Sequence, residues 1–305
     1  MRILFAGTPA LAIPSLEALV EAGHEVAAVL TRAPAPVGRK RILTPSPVEE
    51  WARSHGLEVV TPASLRGEEI QRFVKDCAPE AVAVVAYGFL VPPALLDIPR
   101  YGWINLHFSL LPAWRGAAPV QYAIAEGDSV TGACTFRLEE GLDTGPIFAR
   151  LTQEISPVDT SSSLVERLSY SGAQLLTRTF AELPGATPEP QVGEPSFAPT
   201  LTSADAQVNW EAPAQEIDRR IRAYTPAPGA WTTREGKRYK LGPVRLAEDV
   251  TDVAPGQIRG TFVGTGTHAV ELRRIAPAGK KEMDALAWAR GAHLDADAHF
   301  SWKEQ

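Results

Sequence analysis

Ala81-Val82-Ala83-Val84-Val85-Ala86 is a run of six residues without a polar side chain. A strand with one wet face alternates apolar and polar residues, whereas a strand covered on both faces does not. The run therefore reads as a buried parallel strand at the centre of an α/β sheet. Residues 3–6 and 26–30 upstream, and Trp103–His107 and 132–138 downstream, are further short apolar runs. Helical patterns lie between them at 14–22, 47–55 and 120–125. The helix at 47–55 begins on Pro47 and stops before Gly56, the residues favoured at those two places. Alternation of this kind predicts a doubly wound, mainly parallel (Rossmann-like) sheet.

Ser161–Glu182 has the period of a long amphipathic helix, with Leu164, Leu168, Leu175 and Leu176 among its apolar positions. Five prolines and two glycines then fall between Pro184 and Pro199, the composition of a stiff, extended linker. A helix at Ala214–Ala223 follows. Strand-like runs at 231–233, 238–241, 257–263 and 268–275 come after it, separated by turn residues. The expected organisation is an α/β domain over 1–183, a linker over 184–206, and a second, smaller C-terminal β-barrel (OB-like) over 207–305.

The chain has 305 residues, 45% hydrophobic and 22% charged, enough for a large core. Its two cysteines, Cys77 and Cys134, do not make a disulfide framework and fit a reducing compartment. The apolar run after Arg2 is broken by Gly7-Thr8-Pro9, too early for a signal peptide. No apolar stretch has the length of a membrane helix. A cytoplasmic protein is expected. The net charge of −6 argues against a general nucleic-acid coat. It is uneven, however: residues 207–305 carry +2 and residues 1–206 carry −8, so the C-terminal part could meet a polyanion locally.

The polar residues of Trp103–His107 fall at its carboxyl end, where open α/β sheets place their ligands. Asn105 and His107 are two apart, so their side chains share a face. The turn Ser109-Leu110-Leu111-Pro112 follows, and Gly141-Leu142-Asp143-Thr144-Gly145 lies further on. An amide, an imidazole and a carboxylate suit proton handling and oxyanion stabilisation in acyl transfer. Scattered histidines argue against a metal site. Ser109 lacks a Gly-x-Ser-x-Gly elbow, which argues against a serine hydrolase. The Gly7-Thr8-Pro9 turn has a single glycine and the second strand ends in Thr31-Arg32, which argues against a standard dinucleotide site. That turn either approaches a ligand or simply links strand to helix.

Asn105-x-His107-x-Ser109-Leu-Leu-Pro together with Gly141-Leu-Asp143-Thr-Gly resembles the folate-dependent formyltransferases. Trp114-Arg115-Gly116-Ala117-Ala118-Pro119-Val120-Gln121, the opening 5–9, the loop Gly38-Arg39-Lys40-Arg41 and the Ile221-Arg222-Ala223-Tyr224 run resemble the members that formylate a charged tRNA. The likeness covers essentially the whole chain. It implies transfer of formyl from 10-formyltetrahydrofolate, consumed as co-substrate, to the α-amino group of methionyl initiator tRNA, without a metal. It implies a catalytic trio of Asn105, protonated His107 and Asp143, and a folate site lined by Ser109, Leu110, Leu111 and Pro112. Arg39, with Lys40 and Arg41, would meet the tRNA acceptor end. Lys237, Arg238 and Lys240 join them by charge. A monomer is expected. Two departures stand out: Phe108, where small residues are usual in the family, would narrow the folate pocket, and Thr200–Ser203 lacks lysines carried by many relatives. The alternatives are a formyltransferase acting on glycinamide ribonucleotide or an amino sugar, and a catalytically inactive tRNA-binding protein.

Overall fold

The computed structural model describes residues 1–38 and 40–302. Its largest sheet has seven strands. In chain order these are β1 (Arg2–Gly7), β2 (Glu25–Leu30), β3 (Val59–Val60), β4 (Ala81–Val85), β5 (Trp103–His107), β6 (Val130–Arg137) and β7 (Ile147–Glu154). Across the sheet they run β7-β6-β5-β4-β1-β2-β3. The five strands from β3 to β5 in that row are parallel, and β6 and β7 add an antiparallel edge. The strand order reverses between β1 and β4, the switch point of a doubly wound sheet. Every residue of β4 is buried, as its apolar run requires. β7 is not among the expected strands: its inner and outer residues alternate through Thr152, Gln153 and Glu154, which by composition resemble a polar connection.

The helix Pro47–Ser54 starts as its sequence demands. Pro47 takes the first position, and the Ser46 hydroxyl accepts the Glu49 backbone N–H at 3.0 Å. Ser161–Glu182 is one helix of 22 residues, and its Gly172 lets Leu106 and Phe108 pack closely.

The chain packs into two compact units whose limits differ from the boundaries expected from composition. One comprises 1–116, 130–154 and 165–197; the other comprises 117–129, 155–164 and 198–305. The helix Pro119–Glu126 belongs with the second unit because it packs on the helix Ala214–Ala223. The middle of the expected linker is not a spacer. Ile147 and Glu189 form an antiparallel bridge, with N···O distances of 2.7 and 2.8 Å.

In the second unit, two four-stranded sheets share one core, which contains Trp210, Tyr239, Ile258, Val270, Ile275 and Trp288. This is a β body of the expected size, but two of its expected strands are broken. The 257–263 run is a hairpin of Ile258–Arg259 and Phe262–Val263, turned at Gly260, whose φ of 64° suits a tight hairpin turn. The 268–275 run divides into Ala269–Glu271 and Arg274–Pro277, which join different sheets. No helix among the described residues is long and apolar enough to cross a membrane.

At Gly132 in β6, an added Cβ would collide with the Leu151 carbonyl oxygen of β7 and press on Leu110 Cδ2. Gly132→Ala is therefore expected to destabilise the protein by about 1–3 kcal/mol, the usual cost of overpacking. Urea unfolding followed by circular dichroism checks it, and an unchanged midpoint would refute it.

Candidate active site

β5 lies between β4, to which it is parallel, and β6, to which it is antiparallel. Asn105 faces Phe136 across the ladder and His107 faces Cys134. Those four side chains therefore share one face. Leu111, Cys134, Phe136 and Ile147 form an apolar cluster there, and the Phe136 ring meets the His107 ring edge-on at 6.3 Å. Leu106 and Phe108 point to the other face, against Gly172. The expected narrowing of the pocket by Phe108 is thus corrected, because alternation along the strand turns that ring away from Asn105 and His107.

The His107 imidazole is buried. Its Nε2 lies 2.9 Å from the Trp114 carbonyl oxygen. A carbonyl can only accept, so Nε2 carries the proton and Nδ1 presents a lone pair. Nδ1 faces Asp143 Oδ2 at 3.8 Å, longer than a hydrogen bond. Asp143 Oδ2 instead accepts the Gly116 backbone N–H at 2.8 Å. Burial holds the imidazole below its ordinary pKa of 6.5, against the opposing pull of Asp143 and of the Trp114 carbonyl. The free protein therefore carries a neutral ring at neutral pH. The half-buried Asn105 amide has no hydrogen-bond partner among the described residues. Burial pushes the neighbouring Cys134 thiol up to about 11, so it stays protonated and is a poor nucleophile.

Asp143 sits in the β6–β7 connection with φ at 51°. At Gly145 a Cβ would collide with the Arg137 carbonyl oxygen, so only glycine lets the loop close this tightly. Two residues outside every sequence motif hold this region. Gln191 Nε2 donates to the Asp143 and Gly145 carbonyl oxygens at 2.7 and 2.9 Å. Ser196 Oγ accepts the Trp114 N–H at 2.9 Å. Both lie in the proline-rich stretch, whose composition carries no hint of a site.

The expected folate-lining segment is only partly open. The Ser109 hydroxyl turns inward onto the Ala113 carbonyl at 2.5 Å, and Leu111 belongs to the apolar cluster. Leu110 and Pro112 are half-buried. Among the basic candidates, Arg39 lies outside the described residues. Lys40 and Arg41 are exposed at the tip of a hairpin, Ala35–Val37 with Ile42–Thr44, where a loop is expected from the sequence. That hairpin also exposes Val37, Ile42 and Leu43. Lys237 and Lys240 are exposed. Arg238 is half-buried, with its guanidinium 4.1 Å from the Trp231 ring centre and bonded to Ser203 Oγ at 2.9 Å. The lysine-poor segment 200–203 thus supports Trp231 and Arg238. Among the described residues, no group of three or more His, Cys, Asp or Glu side chains is placed to hold a metal.

An unpaired amide, a neutral imidazole and a carboxylate at the carboxyl edge of a parallel sheet form an acyl-transfer geometry. Residues 1–180 match the family model described as formyl transferase, and residues 200–293 match that of its C-terminal domain. The chain belongs to the formyl transferase family. Within it, the chain is 59% identical to the methionyl-tRNA formyltransferase of Pseudarthrobacter chlorophenolicus, over 95% of this chain and 97% of that one. It is 56% identical to that of Paenarthrobacter aurescens, over the same shares. Solved structures share the fold at low identity. HypX from Aquifex aeolicus in complex with tetrahydrofolic acid is 18% identical with a TM-score of 0.66; the match covers 96% of this chain and 47% of that one. The methionyl-tRNA formyltransferase from Clostridium thermocellum is 17% identical with a TM-score of 0.58, over 81% and 94%.

The depressed His107 pKa has a defined sign for stability. As pH falls through the ordinary value of 6.5, the unfolded chain takes a proton that the folded protein refuses, so stability is full above that value and is lost below it. Asp143→Asn removes the charge that favours the imidazolium. The His107 pKa, read by NMR titration, should therefore fall further in that variant, and a rise would show that Asp143 does not act on the ring.

Proposed function

We propose that this chain transfers the formyl group of 10-formyltetrahydrofolate to the α-amino group of methionyl initiator tRNA. Near-full-length similarity to methionyl-tRNA formyltransferases carries that reading. The unpaired Asn105 amide beside a neutral His107 supports it chemically. The folate co-substrate supplies the formyl carbon.

The remaining work falls to the chain's own residues. The α-amino group has an intrinsic pKa of about 7.7–8.0, so a useful fraction is the neutral nucleophile. Asn105 donates to the formyl oxygen as negative charge develops on it. The His107 Nδ1 lone pair accepts the proton that the attacking nitrogen must lose. The imidazolium so formed is stabilised by the charge of the Asp143 carboxylate at 3.8 Å and turns its one free N–H, on Nδ1, to the oxyanion as a second donor. Its proton then leaves with N10 of the folate. One C–N bond forms, the C–N10 bond breaks, and the amine proton ends on N10.

Leu110 and Pro112, with the backbone between them, line the folate site; Ser109 and Leu111 hold that turn from within. The exposed Lys40 and Arg41 meet the acceptor end, together with Arg39, the residue before them in sequence. Lys237 and Lys240 meet phosphates, and Arg238 steadies Trp231 on the same strand pair. Catalysis belongs to 1–183, and 207–305 holds the tRNA together with the basic residues at 39–41. The protein works as a monomer in the cytoplasm, where charged tRNA is found.

Single-turnover transfer to Met-charged initiator tRNA, elongator tRNA and glycinamide ribonucleotide tests the reading. Rapid formylation of the initiator alone is expected; transfer to the small amine instead would overturn the acceptor. In the same assay Asn105→Ala should lose about 10²–10³ in rate, the usual cost of one oxyanion donor. His107→Ala should abolish transfer while tRNA binding stays near normal. Lys240→Ala should lower the slope of log affinity against log salt by about 0.7–0.9, one phosphate contact. An unchanged slope would remove Lys240 from the interface.

A further inference from the structure

Residues 189–197 run as a strap beside the site, tied at one end by the Ile147–Glu189 bridge. Two side chains of the strap serve the two flanks of the His107–Asp143 pair: Gln191 bonds the Asp143 loop, and Ser196 bonds Trp114, which holds His107. The Gln191 amide is saturated. Nε2 gives its two protons to the Asp143 and Gly145 carbonyls. Oε1 takes Arg115 Nε at 3.2 Å and Nη2 at 2.7 Å. Flipping the amide would set its NH2 against the guanidinium and its oxygen against two carbonyls, so one orientation is enforced. At the other flank Ser196 makes three bonds: Oγ accepts the Trp114 N–H, the backbone N–H donates to the Pro112 carbonyl at 3.3 Å, and the carbonyl accepts the Arg115 N–H at 2.9 Å. The Trp114 carbonyl is the group that holds His107 Nε2.

We propose that this strap positions the catalytic pair: Gln191 sets the loop that carries Asp143, and Ser196 fixes the His107 ring through Trp114. The proposal rests on the roles given to His107 and Asp143 above. Gln191 and Ser196 touch no reacting atom and are positioning residues. The loop needs such a brace, since Leu142 at its tip is exposed and Asp143 holds a left-handed backbone. Without the strap the carboxylate would drift from Nδ1, and the ring could turn or exchange its proton between nitrogens. A misplacement of about 1 Å in a catalytic group can cost about 10²-fold in rate.

The test uses Gln191→Met, which keeps the volume and removes all four bonds, and Ser196→Ala, which removes only the bond from Trp114 N–H. Ser196→Thr restores the hydroxyl. Single-turnover rates and the His107 ring nitrogens, followed by 15N NMR through a pH titration, are read together. The ionisable groups around the ring are Asp143 on the loop and Cys134 on β6, and only the first should move. Gln191→Met is expected to lower the rate about 10- to 100-fold with the folate KM nearly unchanged, and to lower the His107 titration midpoint. Ser196→Ala should populate the Nδ1-protonated ring, and Ser196→Thr should return both rate and tautomer.

An unchanged His107 titration and tautomer in folded variants would overturn the proposal. So would a rate loss matched by the unfolded fraction alone. Should Gln191→Met fail to fold, the Ser196 pair decides. The ring signals are read without turnover. If His107→Ala retains activity, the catalytic reading fails while the positioning claim is still judged on its own data.

Discussion

The hydrogen bond from His107 Nε2 to the Trp114 carbonyl is the constraint on which the site depends. It consumes one ring nitrogen and leaves the other, Nδ1, with a free lone pair facing Asp143. It requires the turn after β5 to bring Trp114 back over the strand it has just left. It also satisfies a polar group in a buried place, where an unmade bond would cost about 1–3 kcal/mol. Asn105, one pleat earlier on the same face, is left unpaired at the edge of the same cluster.

The apolar bed of Leu111, Phe136 and Ile147 works in two directions. Burial disfavours the imidazolium, so the resting ring is a base. The same low-dielectric surroundings strengthen any charge that forms against Asp143 or the Asn105 amide. The long Nδ1–Asp143 distance belongs to the neutral ring, which has no proton on that nitrogen to share.

Packing explains where composition misleads. Five prolines suggest a spacer, yet part of that stretch gives its polar groups to the loops around His107 and Asp143. Proline restricts φ but does not determine what lies alongside the chain. Phe108 looks like an obstacle in the folate pocket until strand alternation turns it toward Gly172. The 257–263 and 268–275 runs keep their apolar character but not their continuity, since a two-residue turn leaves little trace in hydropathy.

The parallel core strands, the helix starting at Pro47 and the shared face of Asn105 and His107 are legible in the sequence alone. Each follows from local rules of period two, period 3.6 or capping chemistry, which act within a few residues. The residues at 105–107 and 141–145 suit acyl transfer by their chemistry, and it is the resemblance of 105–121 and 141–145 to the folate-dependent formyltransferases that implies formyl transfer. Only the tertiary structure decides which imidazole nitrogen carries the proton, and that Asp143 bonds Gly116 before it bonds His107. Only there do Gln191 and Ser196 emerge as braces for both. Those facts depend on contacts between residues up to 82 positions apart in the chain, and no local pattern encodes which distant backbone group a side chain will meet.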